Sequence, residues 1–214
     1  MSPFSTRHLL APLAALVCLV PARAQVEPFP ATGTEAARID TAIVLWAQRT
    51  RTAAAVAKAR SEVILGPSAF SEALGEPLDA RTRPRTSALF DEVARELKAI
   101  TDPLKKQLAR PRPYDADPQV SPAIEREASF SYPSGHATRG LAFAMILAEL
   151  APGHRESILE AGRQVGVNRV VGGVHYPSDI EAGQRLGAEW ARVWLSKPTN
   201  QARLAELRAA EWPR

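Results

Sequence analysis

The chain has 214 residues, of which 27 are Lys or Arg and 23 are Asp or Glu, and its formal net charge is +4 at pH 7. That length suits one domain with a sizeable hydrophobic core. Without Arg7 and Arg23, 25 basic residues stand against 23 acidic ones. So small an excess excludes a general nucleic-acid or anionic-membrane binder.

The first 24 residues have the three ordered parts of a signal peptide. Arg7-His8 is a basic start, Leu9–Val20 is an apolar stretch, and Ala22-Arg23-Ala24 fits a small-x-small cleavage site. The apolar stretch is too short to cross a bilayer as a helix. We therefore expect export to the periplasm or the medium, with the mature domain at residues 25–214. An uncleaved anchor and a buried N-terminal helix are the alternatives.

Cys18 is the only cysteine, and it lies inside the apolar stretch of the signal peptide. Val17 precedes it, where a lipoprotein signal would have a small residue. Cleavage after Ala24 would therefore leave a mature protein without disulfides, which must be held together by its core.

Beyond the signal peptide, apolar residues recur at helical spacing, and no window shows the alternation typical of strands. Proline and glycine divide the pattern into helices predicted over residues 35–63, 68–74, 87–100, 102–108, 135–150, 155–171, 177–197 and 202–211. Residues 110–132 contain four prolines and are predicted to be irregular at least in part. The predicted fold class is all-α, a single bundle of about six to eight helices.

Three segments at predicted helix boundaries carry the candidate chemistry, and the last of them contains His175 and Asp179. The turn at Gly172-Gly173 presents His175, and Asp179 follows four residues later in the first turn of the next helix. At that spacing the carboxylate can hold one imidazole N–H and leave the other nitrogen free to attack. The alternative is an aspartate that only stabilises a helix N-terminus beside a surface histidine.

The middle segment places Ser134, Gly135 and His136 at the start of a helix. Free backbone N–H groups and the helix dipole make such a start an anion site. Ser134 can add a hydroxyl donor, and His136 can donate a proton. The alternative is an ordinary capped helix with an incidental histidine.

The first segment gathers four cations, Lys105, Lys106, Arg110 and Arg112. Arginine can bind phosphate oxygens bidentately and lysine supplies a point charge, although a solvated basic face would look the same. Together the three segments contain what phosphoryl transfer needs: cations, a nucleophile and an acid for the leaving group. His154, the remaining histidine of the mature chain, is predicted to be a surface loop residue.

In this order the segments resemble the signature of the type 2 phosphatidic acid phosphatase superfamily: Lys-x6-Arg-Pro, Pro-Ser-Gly-His and Ser-Arg-x5-His-x3-Asp. Lys105 and Arg112-Pro113 enclose six residues, and Pro133 to His136 is the second part. The third part begins at Asn168, where the family usually has serine. Within the superfamily, the motifs are most similar to those of soluble bacterial class A non-specific acid phosphatases.

The resemblance implies a role for each matching residue. His175 would attack phosphorus and carry the phosphoryl group, Asp179 would orient it, and His136 would protonate the leaving alcohol and later activate water. The phosphate oxygens would be bound by Lys105, Arg112, Ser134, Gly135 and Arg169. Lys106 is an alternative to Lys105, and Arg110 and Tyr114 would line the pocket entrance. No metal or other cofactor is implied.

The resemblance thus predicts an exported acid phosphatase of broad specificity on a vanadium haloperoxidase-like helical core. Its partners would be small phosphomonoesters, without nucleic acid or stable membrane insertion, and a homo-oligomer stays open. A membrane-embedded form is disfavoured because the most apolar later stretch, residues 141–150, contains Glu149. A vanadium-dependent haloperoxidase is disfavoured by size. A non-catalytic phosphate-binding module would not need His136 or Asp179.

Overall fold

The structure is a computed structural model that describes residues 26–212, so the signal peptide predicted at residues 1–24 lies outside it. The described chain is helical and contains no strand, which confirms the all-α fold class. Seven helices have nine residues or more. The helices are α1 (Glu35–Thr50), α2 (Ala53–Ser61), α3 (Ser71–Leu74), α4 (Pro84–Leu108), α5 (Pro113–Ala116), α6 (Gly135–Leu150), α7 (Arg155–Val171), α8 (Pro177–Ser196) and α9 (Pro198–Glu211), with 3₁₀ turns at Pro67–Phe70 and Pro152–His154.

The helix predicted over residues 35–63 is two helices. Arg51 is extended, with a ψ angle of 131°, and it interrupts the helical path. Thr52 then caps α2, because its hydroxyl oxygen accepts the N–H of Ala55 at 3.1 Å. Threonine suits a cap better than a helix interior, which is the reason for the break.

The two helices predicted over residues 87–100 and 102–108 are one helix. Helix α4 continues through Pro103 without interruption. Proline removes one backbone donor, but its fixed φ is compatible with a helix. The buried face of α4, which includes Leu89, Phe90, Val93 and Leu97, packs into the main core. Lys105 is therefore carried by a long, packed helix rather than by a separate short one.

The central helix is α6, which packs between α7 and α8 and buries eleven of its sixteen residues. Small residues let the neighbouring helices approach closely. A β-carbon on Gly187 of α8 would lie 2.2 Å from the carbonyl oxygen of Thr138, and one on Gly162 of α7 would lie 2.7 Å from that of Gly140. Side chains larger than hydrogen at these two positions would push the helices apart.

This close packing brings the three candidate segments together at one end of the bundle. The start of α6 is tied to the start of α8 by the N–H of Ser134, which donates to the carbonyl oxygen of Asp179 at 3.0 Å. The irregular segment between α5 and α6 is held by a bond from Ser131 N–H to Arg110 O at 2.9 Å and by another from Ala123 N–H to Gly172 O at 2.9 Å. Within residues 26–212, no helix combines the length and apolarity that a bilayer crossing requires.

Candidate active site

His175 lies at the centre of the site, with a different partner on each ring nitrogen. Its Nδ1 is 3.0 Å from Asp179 Oδ2, and its Nε2 is 3.3 Å from Arg112 Nη1. A carboxylate only accepts hydrogen bonds and a guanidinium only donates them. In the neutral ring, the proton therefore belongs on Nδ1, and Nε2 carries the lone pair. The spacing of His175 and Asp179 thus produces the contact expected of an oriented nucleophile.

Asp179 is fully buried and is held by several donors besides His175. Its Oδ2 accepts the N–H of Tyr176 at 2.9 Å and the hydroxyl of Ser131, and its Oδ1 accepts Arg110 Nη1 at 2.6 Å. Burial favours the neutral acid, but the hydrogen bond from His175, the charge of Arg110 and the hydrogen bond from Ser131 hold the pKa of Asp179 below its usual range. Asp179 is therefore an anion facing the imidazole, and it also stabilises the first turn of α8.

Arg110 lies behind Asp179 rather than at the pocket entrance where the resemblance placed it. Its guanidinium bridges Asp179 and Asp40 of α1, the latter at 2.8 Å, and stacks 4.0 Å from the ring centroid of Tyr176. Arg110 and both carboxylates are buried. Sequence reasoning did not identify Asp40, which comes from a helix outside the three segments.

His136 lies in the first turn of α6. Its Nε2 lies 3.1 Å from the carbonyl oxygen of Val63, in the loop that follows α2. The neutral ring donates from Nε2, so its Nδ1 carries the lone pair. This histidine is 8% exposed and lines the same cavity as His175, as its proposed exchange of protons with a substrate requires.

Lys105 and Arg112 lie next to His175 and are both buried. Lys105 Nζ donates to the carbonyl oxygens of Phe130 and Ser131 at 2.6 and 3.1 Å. Burial, followed by the charge of Arg112, lowers the pKa of Lys105 to about 8. Lys106, its alternative, lines the cavity from the exposed face of α4.

Glu127 is a site residue that sequence reasoning missed. Its Oε2 accepts Arg112 Nη2 at 2.7 Å, in the position where a phosphate oxygen could bind this guanidinium. Tyr114 holds the backbone of Glu127, because its hydroxyl donates to the carbonyl and accepts the N–H, both at 3.0 Å. Tyr114 is thus buried beneath this segment rather than placed at the entrance. Burial favours the neutral acid, but nearby positive charges, that of Arg112 first, outweigh burial and lower the pKa of Glu127.

Ser134 and Gly135 form the start of α6, as predicted. Ser134 is the N-cap, and its hydroxyl oxygen accepts the N–H of Ala137 at 3.3 Å. Gly135 lines the cavity together with His136 and His175. The first N–H groups of a helix have no partner within it, so this end of α6 can bind an anion.

Arg169 contacts α2 rather than the cluster around His175. Its Nη2 lies 3.6 Å from Glu62 Oε2 and donates to the carbonyl of Ala59, and its buried Nε has no acceptor among the described residues. Asn168 binds Glu62, the carboxylate nearest to Arg169, because its Nδ2 donates to Glu62 Oε2 at 2.8 Å. The amide at the position where the family usually has serine therefore binds Glu62 and does not contact either histidine.

A cavity of about 400 Å³ joins these groups. Lys105, Gly135, His136 and His175 line it, while Arg112, Ser134 and Asp179 lie buried directly behind its wall. His154, predicted to be a surface loop residue, is exposed in its 3₁₀ turn. Among residues 26–212, no three His, Cys, Asp or Glu side chains converge as a metal-binding group.

Burial makes both cavity histidines weak bases. Desolvation, followed by repulsion from Arg139, lowers the pKa of His136 to about 3. Desolvation also lowers the pKa of His175 to about 4, although the hydrogen bond to Asp179 opposes it. Without a bound anion, both rings are neutral at pH 5 to 7. The neutral form is the one in which His175 can attack.

These pKa values predict a loss of stability in acid. Below about pH 6.5 the unfolded chain protonates both histidines while the folded protein does not. The free energy of unfolding should therefore fall by about 1.4 kcal/mol per pH unit for each of them, down to the folded pKa. The measurement is the free energy of unfolding from urea titrations at pH 6.5, 5.5 and 4.5, without phosphate. In His136→Gln, its dependence on pH should be smaller than in wild type by about 1.4 kcal/mol per pH unit. His154→Gln, at an exposed site, is the control, and equal slopes in both variants would contradict a buried neutral His136.

A family model described as the PAP2 superfamily matches residues 93–203, which include all three segments. A non-specific acid phosphatase from Providencia stuartii is 29% identical over 146 residues, which cover 66% of this chain and 59% of that protein. An acid phosphatase from Zymomonas mobilis is 36% identical over 118 residues, which cover 53% of this chain and 45% of that protein. The chain thus spans about half the length of these curated relatives.

A similar fold occurs in the crystal structure of a transmembrane PAP2 type phosphatidylglycerolphosphate phosphatase from Bacillus subtilis. The TM-score is 0.52 at 23% sequence identity, and the match covers 78% of this chain and 89% of that one. At this identity the similarity concerns the fold alone. The resemblance that the three motifs indicate is confirmed, both to the superfamily and to bacterial acid phosphatases.

Proposed function

This chain belongs to the PAP2 superfamily, and we propose that it is a phosphatase that hydrolyses phosphomonoesters through a phosphohistidine on His175. The observation that carries the proposal is the pair of contacts on the imidazole, with Nδ1 on Asp179 and Nε2 on the cationic side of the cavity. Of the two ring nitrogens, Nε2 is the one with an available lone pair.

The first step is transfer of the phosphoryl group to His175. The Nε2 lone pair forms a bond to phosphorus while the ester P–O bond breaks, and the leaving alkoxide takes a proton from His136. Lys105, Arg112 and the start of α6 neutralise the equatorial oxygens. Asp179 stabilises the positive charge that develops on the phosphorylated ring.

The second step is hydrolysis of the phosphohistidine. His136, neutral after the first step, accepts a proton from water, and the water oxygen attacks phosphorus. The P–N bond breaks and its electron pair returns to Nε2. His136 must be protonated when substrate is bound, and the negative charge of a phosphate ester favours that form. Phosphate binding should therefore raise the pKa of His136 above its value in the empty cavity.

We further propose an acid pH optimum, broad specificity and export to the periplasm or the medium. The similarity to two bacterial acid phosphatases supports the first point, and the Providencia stuartii protein, described as non-specific, supports the second. The signal-peptide pattern at residues 1–24 supports the third.

The proposed function predicts a labelled intermediate. Incubation with a ³²P-labelled phosphomonoester at pH 5 to 7, followed by a denaturing quench and peptide mapping, should place the label on the peptide that contains His175. Turnover should persist in a strong chelator and be inhibited by vanadate. Turnover without label on that peptide would contradict the phosphohistidine.

Two outcomes would instead support the alternatives. Vanadate-dependent halide oxidation by hydrogen peroxide, without phosphatase turnover, would indicate a haloperoxidase. Tight binding of inorganic phosphate without any turnover would indicate a binding module.

A further inference from the structure

The cavity over His175 contains a cation that the proposed phosphoryl transfer does not use. Arg139 of α6 lines this cavity together with Lys98 and Lys106 of α4. Lys98 is neutralised by Asp102 at 2.5 Å. Arg139 differs, because no carboxylate of residues 26–212 lies within 4.0 Å of its guanidinium.

The guanidinium of Arg139 is held so that its outer nitrogens stay available. The side chain runs back toward the start of α6, where Nε donates to the carbonyl oxygen of Gly135 at 3.2 Å. Neither Nη1 nor Nη2 has an acceptor among the described residues, and neither is sealed from solvent. A half-buried fork with two available donors is the arrangement in which arginine binds carboxylate or phosphate.

This position is unfavourable for a cation unless an anion joins it. Arg139 is near the positive end of α6, in a cavity that Lys105 also lines. The carboxylates of Asp102 and Glu127 line this cavity too, but both are more than 4.0 Å from the guanidinium. Burial lowers the pKa of Arg139 although the charges of Glu127 and Asp102 oppose the shift, so these carboxylates compensate the charged form only in part. Side chains whose position lowers the stability of the fold are expected mainly at functional sites.

The anion that Arg139 could bind lies on the leaving-group side of the cavity. Arg139 follows His136 by three residues in α6, a spacing that puts both side chains on one face of the helix, and both line the cavity. His136 is the residue proposed to protonate the leaving alcohol. Lys105, Arg112 and the start of α6 are already available for the phosphoryl oxygens. A group near Arg139 would therefore belong to the alcohol part of the substrate.

We propose that Arg139 forms a second anion subsite that binds a carboxylate or a second phosphate on the leaving alcohol. Lys106 of α4, which lines the same cavity, adds a point charge. The preferred substrates are then phosphomonoesters of anionic alcohols, such as phosphorylated hydroxy acids and bisphosphates. This inference rests on the proposed phosphatase function and narrows its substrate class.

The test compares matched substrates that differ in one charge. Wild type, Arg139→Gln and Arg139→Lys are assayed at pH 6 on ω-phosphorylated carboxylic acids of two to four carbons and on the corresponding alkyl phosphates. Arg192→Gln, an exposed position on α8, is the control for loss of one positive charge. In wild type, kcat/KM for at least one acid should exceed that for its alkyl partner by about tenfold, the effect of one charge-assisted hydrogen bond. In Arg139→Gln the ratio of the two kcat/KM values should fall to about one. Arg139→Lys should keep part of the preference for the acid, and Arg192→Gln should keep all of it.

Binding of non-hydrolysable analogues separates the subsite from catalysis. Calorimetry with 3-phosphonopropionate and propylphosphonate should show tighter binding of the former to wild type but not to Arg139→Gln. If Arg139→Gln lowered kcat/KM equally for the acid and the alkyl phosphate of every pair, the subsite would be overturned. Arg139 would then act on the phosphoryl group itself. Absence of any preference in wild type would also overturn it. If wild type hydrolyses neither class, the phosphatase proposal fails, and the calorimetric comparison still decides whether Arg139 binds a second anion.

Discussion

Replacement of His175 by alanine is expected to lower kcat by at least about 10⁴-fold while the fold remains intact. The variant lacks the Nε2 atom that would bond to phosphorus, so no covalent route is left. Lys105, Arg112 and the start of α6 remain, so phosphate or vanadate should still bind. The measurements are single-turnover kinetics with a ³²P-labelled substrate, a phosphate titration and a thermal melt.

The fold should tolerate this change because Asp179 keeps other donors. The hydroxyl of Ser131, the N–H of Tyr176 and the guanidinium of Arg110 still bind its carboxylate. No buried charge is therefore left without a partner. His154→Ala, in the exposed turn before α7, is the matched control and should keep full activity. Substantial turnover in a folded His175→Ala protein would rule out this residue as the nucleophile.

The sequence predicts much of the fold because the helix boundaries are marked by local residues. Ser134 before α6, Pro177 at the start of α8 and the Gly172-Gly173 turn each act within a few residues of their own position. The last helix begins at Pro198, four residues before its predicted start. The two errors in the number of helices, at Thr52 and Pro103, are places where a residue can either interrupt a helix or be accommodated by it. That choice depends on packing, which no local pattern contains.

The parts of the site that sequence reasoning missed come from distant chain segments. Asp40 pairs with Arg110 across 70 positions, and Glu62 meets Asn168 across 106. Each is an ordinary polar residue of an amphipathic helix or its end, so neither stands out by type or spacing. Only the close approach of α1 and α2 to α7 and α8 gives these carboxylates a role.

Glycine spacing was a signal that could have been used. Gly183 and Gly187 lie four residues apart in α8, and Gly162 and Gly166 lie four apart in α7. Residues at that spacing share one helix face. In the structure, Gly162 lies against α6, and Gly166 lies where α7 meets both α8 and α6. Gly183 and Gly187 lie against the first turn of α6, and they allow the close approach of the starts of α6 and α8 on which the site depends.

Asp179→Asn is expected to lower kcat by on the order of 10³- to 10⁴-fold, through the wrong histidine tautomer. The carboxylate can only accept, so it keeps the proton on Nδ1 of His175 and leaves Nε2 free. An asparagine amide can donate to Nδ1 instead, and the ring proton then moves to Nε2. A protonated Nε2 cannot attack phosphorus, although every other group of the site is still present.

Asparagine has two separable effects, because His175 Nδ1 and the N–H of Tyr176 both bind Oδ2 of Asp179. When the amide nitrogen takes the place of Oδ2 and donates to Nδ1, it also faces the N–H of Tyr176, so the bond that stabilises the first turn of α8 is lost. A thermal melt measures that structural loss, and kcat of the folded variant measures the effect of the tautomer. If Asp179 only stabilised its helix, kcat would remain close to the wild-type value. The size of the loss in kcat therefore separates an orienting carboxylate from a structural one.

Loss of the negative charge should also cost stability, and this effect must be measured separately. Asp179 lies between His175 and Arg110 at 0% exposure, and removing one partner of a buried ion pair costs about 3 kcal/mol. Arg110 keeps Asp40 as a partner at 2.8 Å, which limits the damage. The assay should therefore be run well below the midpoint of the variant's thermal melt.

Ser131→Ala is the control that weakens the network without changing the tautomer. It removes one hydroxyl donor from Asp179 Oδ2 but leaves the carboxylate facing Nδ1. Its kcat should fall by less than about tenfold, the effect of one hydrogen bond. A loss in Ser131→Ala as large as that in Asp179→Asn would show that the rigidity of the network, rather than the position of the imidazole proton, limits the rate. Nitrogen-15 chemical shifts of the His175 ring would decide directly, because protonation of Nε2 in Asp179→Asn and of Nδ1 in wild type is the expected difference.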